Sequence, residues 1–306
     1  MIGSKCSPLA DVQNDMSCFN NSDITNIIKI LIKSKVDVPQ KIRNSGREQK
    51  YNFISQHMES TKHCKEESCW ISHNRFGGFK NKFLPLAPPD WMTDDDKWLD
   101  TDNIDIVLNQ YKKAYPKFYY YGAVPMDFDN KDNTGYCTVS NICKMSINSL
   151  LKKGFNKIGI VFNTDKSTEE GEHWISLFID LEGIDKADLL NGGKNKKNKK
   201  TKSKQRNKAI DKKIYGFYYF DSVGDPAPKQ VVDLFNRLNK QMKKKKKKLT
   251  FFENDMSHQM GNNECGVYSI YFIVNMLHGR SYFDIIEDIK RDKEMNNYRK
   301  IYFRFN

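Results

Sequence analysis

Long apolar runs are missing from this 306-residue chain. No stretch approaches the ~20 apolar residues that a membrane-crossing helix needs, so no membrane insertion is expected. The opening Met-Ile-Gly-Ser-Lys-Cys-Ser-Pro has no continuous apolar segment of signal-peptide type, which sets an intracellular expectation. No glycine-rich phosphate loop accompanies the aromatic segments, which leaves nucleotide chemistry without its usual cradle. Regular Cys/His ligand pairs are also lacking. The nearest approach, His63-Cys64 with Cys69 and His73, has awkward spacing for structural zinc, and ordinary packing around Trp70 and Ile71 is the expected role. Seven cysteines make an odd count at ordinary density, so no disulfide framework is implied and a free reactive thiol is allowed.

The net charge of +13 points to nucleic acid only until its distribution is read. Residues 191–213 are net +10 and residues 240–248 net +7, so the remainder of the chain is net −4. The basic character belongs to two tracts in a near-neutral body. Aromatic residues are not interleaved with these lysines, so no base-stacking platform is built. Solvated loops are the plain reading; weak, sequence-independent nucleic-acid binding is the functional one.

What is present is enough for a core, with 38% hydrophobic and 12% aromatic residues. Ile24, Ile27, Ile28 and Leu31 have helical spacing after Asn21 and Asp23 as candidate caps, and a second short helix includes Tyr51, Phe53, Ile54 and Met58. A mostly helical accessory region, residues 1–85, is therefore expected. The Gly77-Gly78 pair and Pro85, Pro88 and Pro89 mark its boundary with a main body, residues 86–306. In that body Asp102 or Asn103 would cap a helix burying Ile104, Val107, Leu108 and Tyr111. The aromatic run Phe118–Tyr121 supplies core or groove wall.

Alternation predicts strands over Ile158–Phe162 and His173–Asp180, then over Ile214–Phe220 and Leu249–Phe252. Insertions at about 184–213 and 240–248 interrupt them, the first with almost no apolar anchors. Between the last two strands a helix buries Val231, Leu234, Phe235 and Leu238. The expected fold class is α+β, a mixed central sheet flanked by helices.

The polar turn Gln259-Met-Gly-Asn-Asn-Glu-Cys265 changes at the cysteine into an apolar helical pattern, Val267, Tyr271, Val274 and Leu277. Cys265 falls in a first turn, where free backbone N–H groups favour negative charge, as a nucleophilic thiolate requires. A buried structural cysteine fits the same position. His173 at a strand's beginning and Asp221 at another's end complete a nucleophile–base–orienter set, with Gln259 and the Cys265 N–H as oxyanion donors. His258 competes as base through its closeness in sequence. Asp180 is set aside as orienter, because the strand carries it more than ~20 Å from His173. Glu264 reads as a solvent-facing turn residue or helix cap.

His173-Trp174, the strand ending in Asp221-Ser222, and Gln259 six residues before Cys265-Gly266 resemble the cysteine proteases related to SUMO-deconjugating enzymes and the adenovirus maturation protease. Their His–Asp–Gln–Cys order is the family order. Trp98-Leu99-Asp100 resembles the family segment that walls the substrate groove. Ser68–His73, the aromatic segment into Met126-Asp127-Phe128, and Val161–Asp165 are most similar to the viral branch that includes the African swine fever virus polyprotein protease. Asp221 stands where that branch looks to have asparagine, and the lysine tracts are additional.

The resemblance implies a SUMO-protease-like core with a helical arm and catalytic His173, Asp221 and Cys265. It implies thiol-dependent cleavage of viral core polyproteins after Gly-Gly during particle maturation, with Trp98 and Trp174 lining the groove. No cofactor is then required; DNA or a peptide is a candidate activator, and the setting is the host cytoplasm, at the viral factory, and the virion. Competing readings are removal of ubiquitin-like proteins from conjugates, nucleic-acid binding through the lysines, and an inactive scaffold retaining the fold.

Overall fold

The computed structural model describes residues 5–10, 17–185 and 213–305. They form two compact units, one running up to Pro89 and joined by the residues from Arg299 onward, the other spanning Asp90–Tyr298.

In the first unit, helix α1 (Asn21–Lys33) buries Ile24, Ile27, Ile28 and Leu31, the face its spacing predicts. Its cap is Asn20 rather than Asn21. The Asn20 side chain accepts from the Asp23 backbone N–H, and the Asp23 carboxylate accepts from the Asn20 N–H, closing a capping box. Helix α2 (Arg47–Lys62) adds Ile54 and Met58 to the same core. Trp70 and Ile71 are buried there, with Phe19 stacked 5.9 Å from the Trp70 ring.

The cysteines depart from the sequence expectation. Disulfides join Cys6 to Cys18 and Cys64 to Cys69, and Cys137 to Cys143 in the second unit. Cys265 is the free cysteine. A count cannot show which Cα atoms approach within bonding range; the fold brings these pairs to 5.1, 5.5 and 6.3 Å. His73 Nε2 lies 3.4 Å from the Cys64 sulfur, so Cys64, Cys69 and His73 do converge, but around a disulfide.

The second unit is built on a five-stranded mixed sheet in the order β1-β2-β3-β4-β5. The strands are β1 (Phe118–Pro125), β2 (Lys157–Asn163), β3 (Trp174–Asp185), β4 (Lys213–Phe220) and β5 (Leu249–Phe252). The outer pairs β1/β2 and β4/β5 are parallel, and β3 runs antiparallel to β2 and β4. Along β3 the side chains alternate, and both faces are buried. Ile175, Leu177 and Ile179 join a cluster with Val231, Leu234 and Leu238 of helix α4 (Lys229–Lys243).

The opposite face carries helix α5 (Cys265–Leu277). It is apolar nearly all round and buried along its length except at Asn275, as a central helix must be. Phe220 of β4 stacks on Phe272 of α5 at 4.9 Å between ring centres. Helix α3 (Thr101–Ala114) buries Ile104, Val107, Leu108 and Tyr111; its cap is Asp100, in a reciprocal box with Asn103.

The register sets the site. Asn163 of β2 pairs with Trp174 and Phe220 of β4 with Ser176, so the start of β3 and the end of β4 lie at one end of the sheet. His173 immediately precedes β3 and Asp221 immediately follows β4.

Candidate active site

His173 leaves the sheet with its carbonyl accepting from the Thr164 N–H at 2.9 Å. Its ring Nε2 meets Asp221 Oδ1 at 2.8 Å. Cys265 is the second group that acts on this ring, favouring its protonated form. Burial by itself pulls the His173 pKa down. Hydrogen bonds to Asp221 and to Cys265, with the charges of both, reverse this and raise it to about 10. The imidazole therefore sits between the two groups that the sequence assigns as orienter and nucleophile.

Asp221 is held from several sides. Its backbone exchanges two hydrogen bonds with the Asn254 side chain, N–H to Oδ1 at 2.9 Å and C=O from Nδ2 at 2.7 Å. The Val223 N–H donates to the same Oδ1 that faces the imidazole, at 2.9 Å. With 2% of its surface exposed, Asp221 has little freedom except toward His173.

Cys265 is the first residue of α5, where a backbone N–H has no partner within the helix. Beside it, Gly266 admits a close neighbour: a Cβ there would stand 2.8 Å from Cβ of Leu99. This contact seats the Trp98–Asp100 segment against the start of α5. Trp98 donates from Nε1 to Asn263 Oδ1 and Trp174 donates to the Leu99 carbonyl, both at 2.8 Å. Trp98 is 43% exposed, whereas Trp174 is buried. Two clefts adjoin at Trp98. One, of about 450 Å³, is walled by Trp174, Leu99 and Gly171; the other, of about 580 Å³, contains His173, Asp221, Gln259 and Gly261.

Gln259 is buried at the rim of that second cleft. Its Oε1 accepts from Ser222 Oγ at 2.7 Å, and its Nε2 donates to the Gly261 carbonyl at 2.8 Å. The competing residues fall elsewhere. His258 turns its Nε2 to the Ile286 carbonyl at 3.1 Å and sits edge-on to Phe220, with burial pushing its pKa down. Asp180 accepts from the backbone N–H groups of Glu182 and Gly183 within β3, where the pairing with β4 shifts register. Glu264 occupies the N-cap position of α5 but is buried, not solvent-facing. Asn254, Asn263 and Asp292 support the site and went unread in the sequence, since isolated polar residues in turns give no periodic signal.

A family model described as the Ulp1 protease family, C-terminal catalytic domain, matches residues 145–304, just over half of the chain. The chain belongs to the Ulp1 protease family. It is 25% identical to a protein of Acanthamoeba polyphaga mimivirus that carries a provisional thiol-protease name, over 98% of this chain and 93% of that one. It is also 25% identical to an African swine fever virus protein, named as a SUMO-1 cysteine protease in several isolates, over 79% of this chain and 83% of that one. The crystal structure of an African swine fever virus protease superposes with a TM-score of 0.61 at 20% identity, covering 98% and 97% of the two chains, and so shares the fold. As a member of the Ulp1 family the protein is a thiol protease, and the mixed sheet with flanking helices and N-terminal helical arm is the family core extended. Among the described residues no helix is long and apolar enough to cross a membrane.

Proposed function

We propose that this protease is an endopeptidase that cuts viral core polyproteins after Gly-Gly pairs during particle maturation. Cys265 is the nucleophile, His173 the general base and acid, and Asp221 the orienter. The observation that carries the reading is the His173 ring, bonded to Asp221 and favoured in its protonated form by Asp221 and Cys265 together, in a cleft that also contains Gln259 and Gly261.

The thiolate of Cys265 attacks the glycine carbonyl, and the new oxyanion takes hydrogen bonds from Gln259 Nε2–H and the Cys265 backbone N–H. Protonated His173 gives its proton to the departing amine as the C–N bond breaks, leaving a thioester. Water then attacks the thioester, His173 taking its proton. The C–S bond breaks, and the acid product and Cys265 are released. Asp221 keeps the ring oriented and balances its charge. Trp98 and Trp174 supply a narrow wall that suits residues without side chains.

The test is cleavage of a Gly-Gly-X peptide by wild type and by Cys265→Ala. Cleavage by wild type alone supports the mechanism; an active Cys265→Ala protein overturns it. The SUMO-1 name of the swine fever virus relative favours one second reading, deconjugation of ubiquitin-like proteins, since both substrate classes present Gly-Gly. An intact ubiquitin-like conjugate assayed in parallel separates them, and cleavage of the conjugate in preference to the peptide would replace the polyprotein reading. The proposed setting is the viral factory in the host cytoplasm and the virion, with no cofactor required and DNA or a peptide as candidate activator.

A further inference from the structure

Ser222 follows the proposed orienter and is 1% exposed. Its carbonyl accepts the backbone N–H groups of both His258 and Gln259 at 2.8 Å. Its hydroxyl lies 2.7 Å from Gln259 Oε1. The other end of that amide lies 2.8 Å from the Gly261 carbonyl. A carbonyl only accepts, so the nitrogen end of the amide must face Gly261 and the oxygen end must face Ser222. Ser222 is therefore the donor. One Gln259 N–H is used on Gly261 and one remains.

The turn carrying this amide is also fixed. Asp292 Oδ2 accepts the Met260 N–H at 3.0 Å and the Gly261 N–H at 2.8 Å. Backbone on both sides of Gln259 is held, and the side chain is tied at its oxygen by one hydroxyl. An isolated Gln side chain samples many rotamers, and an oxyanion donor gains from being aimed before charge develops.

We propose that Ser222 is a positioning residue for catalysis: it sets the orientation of the Gln259 amide so that the remaining N–H is presented to the oxyanion. This rests on the catalytic reading above and adds to it. Ser222 touches no reacting atom; it acts through Gln259.

The experiment is a double-mutant cycle on Gly-Gly-X cleavage with Ser222→Ala, Gln259→Ala and the pair, alongside alkylation of Cys265 by iodoacetamide. Alkylation generates no oxyanion and so reports the thiol and His173 without Gln259. Ser222→Ala should lower kcat about tenfold with KM within twofold and the alkylation rate unchanged; Gln259→Ala should lower kcat about 100-fold. The double variant should be no slower than Gln259→Ala alone, because the hydroxyl has nothing left to aim. Multiplicative losses in the double variant, or wild-type kcat in Ser222→Ala, overturn the inference. If Ser222→Ala does not fold, Ser222→Cys keeps the volume with a weak donor and carries the same cycle. A wild type that alkylates but cleaves no Gly-Gly-X peptide overturns the substrate reading instead, and this inference falls with it.

Discussion

His173 carries the clearest pH signature among the site residues. Its value in the folded protein, about 10, lies above the ordinary histidine value of about 6.5. Protonated His173 thus stabilises the fold fully below about pH 6.5, and this contribution is lost as pH rises toward 10. Histidine-selective NMR of wild type should show this imidazole protonated through neutral pH. Asp221→Ala should lower its midpoint, because the Asp221 hydrogen bond is the strongest of the raising effects; a wild-type midpoint at or below 6.5 would contradict the ion-pair picture. Trp98 makes a second residue-scale test. Trp98→Ala should raise KM several-fold while Cys265 stays titratable by alkylating reagents, and unchanged peptide kinetics would remove Trp98 from the groove. The chemical types at 173, 221, 259 and 265 were legible in the sequence because each sits at a change of pattern. His258 was not separable from His173 by sequence distance; only the bond to the Ile286 carbonyl removes it from contention.

Strands and helices were readable wherever one periodicity dominated. Strands β2 to β5, and helices α1, α4 and α5, emerge over the expected residues. Strand β1 was read only as an aromatic run, since Phe118-Tyr-Tyr-Tyr-Gly-Ala-Val-Pro shows no alternation of apolar and polar residues. Caps shifted by a residue or more, to Asn20 and Asp100, because a capping box is chosen by its partner three residues on and not by residue type alone. The close contact beside the nucleophile yields a prediction for α5. Gly266→Ala should push Leu99 and destabilise the protein by about 1–3 kcal/mol, as overpacking of a filled site does. It should also raise KM by displacing neighbouring Trp98. A melting temperature and KM equal to wild type would show that the Leu99 contact is slack.

At the scale of the molecule, the sheet separates chemistry from charge. Leu249, directly after the lysine run, pairs with Tyr215 near the start of β4, whereas Asp221 follows its end, roughly 20 Å away along the strand. Asp185 pairs with Lys213, so the expected insertion at 184–213, most of which lies outside the described residues, leaves and rejoins the sheet at that same far end. The second tract is a helix end and turn. Lys240 and Lys243 lie in the last turn of α4, Lys245 bonds Asn148 Oδ1, and Lys247 stands 4.5 Å over the Tyr215 ring. The proposal of weak, sequence-independent DNA binding by these lysines predicts that wild type binds DNA with an affinity that falls steeply with salt. Replacing Lys244–Lys248 with alanine should then lower that affinity and its salt slope, with peptide cleavage in the absence of DNA unchanged. DNA affinity that is insensitive to salt in the wild type would remove the polyanion reading.

By itself the amino-acid order determined which groups are available for thiol chemistry, their sequence along the chain, and the α+β elements that carry them. Those properties are local, written in side-chain chemistry and in periods of two and 3.6 residues. Tertiary structure decided the rest: which histidine meets the sulfur, which cysteines pair, that Glu264 is buried, and that a serine hydroxyl orients the Gln259 amide. The catalytic set depends on residues up to about ninety positions apart being carried to one end of a sheet by its register, and the disulfides on which Cα atoms the folded chain brings close; no local pattern encodes either.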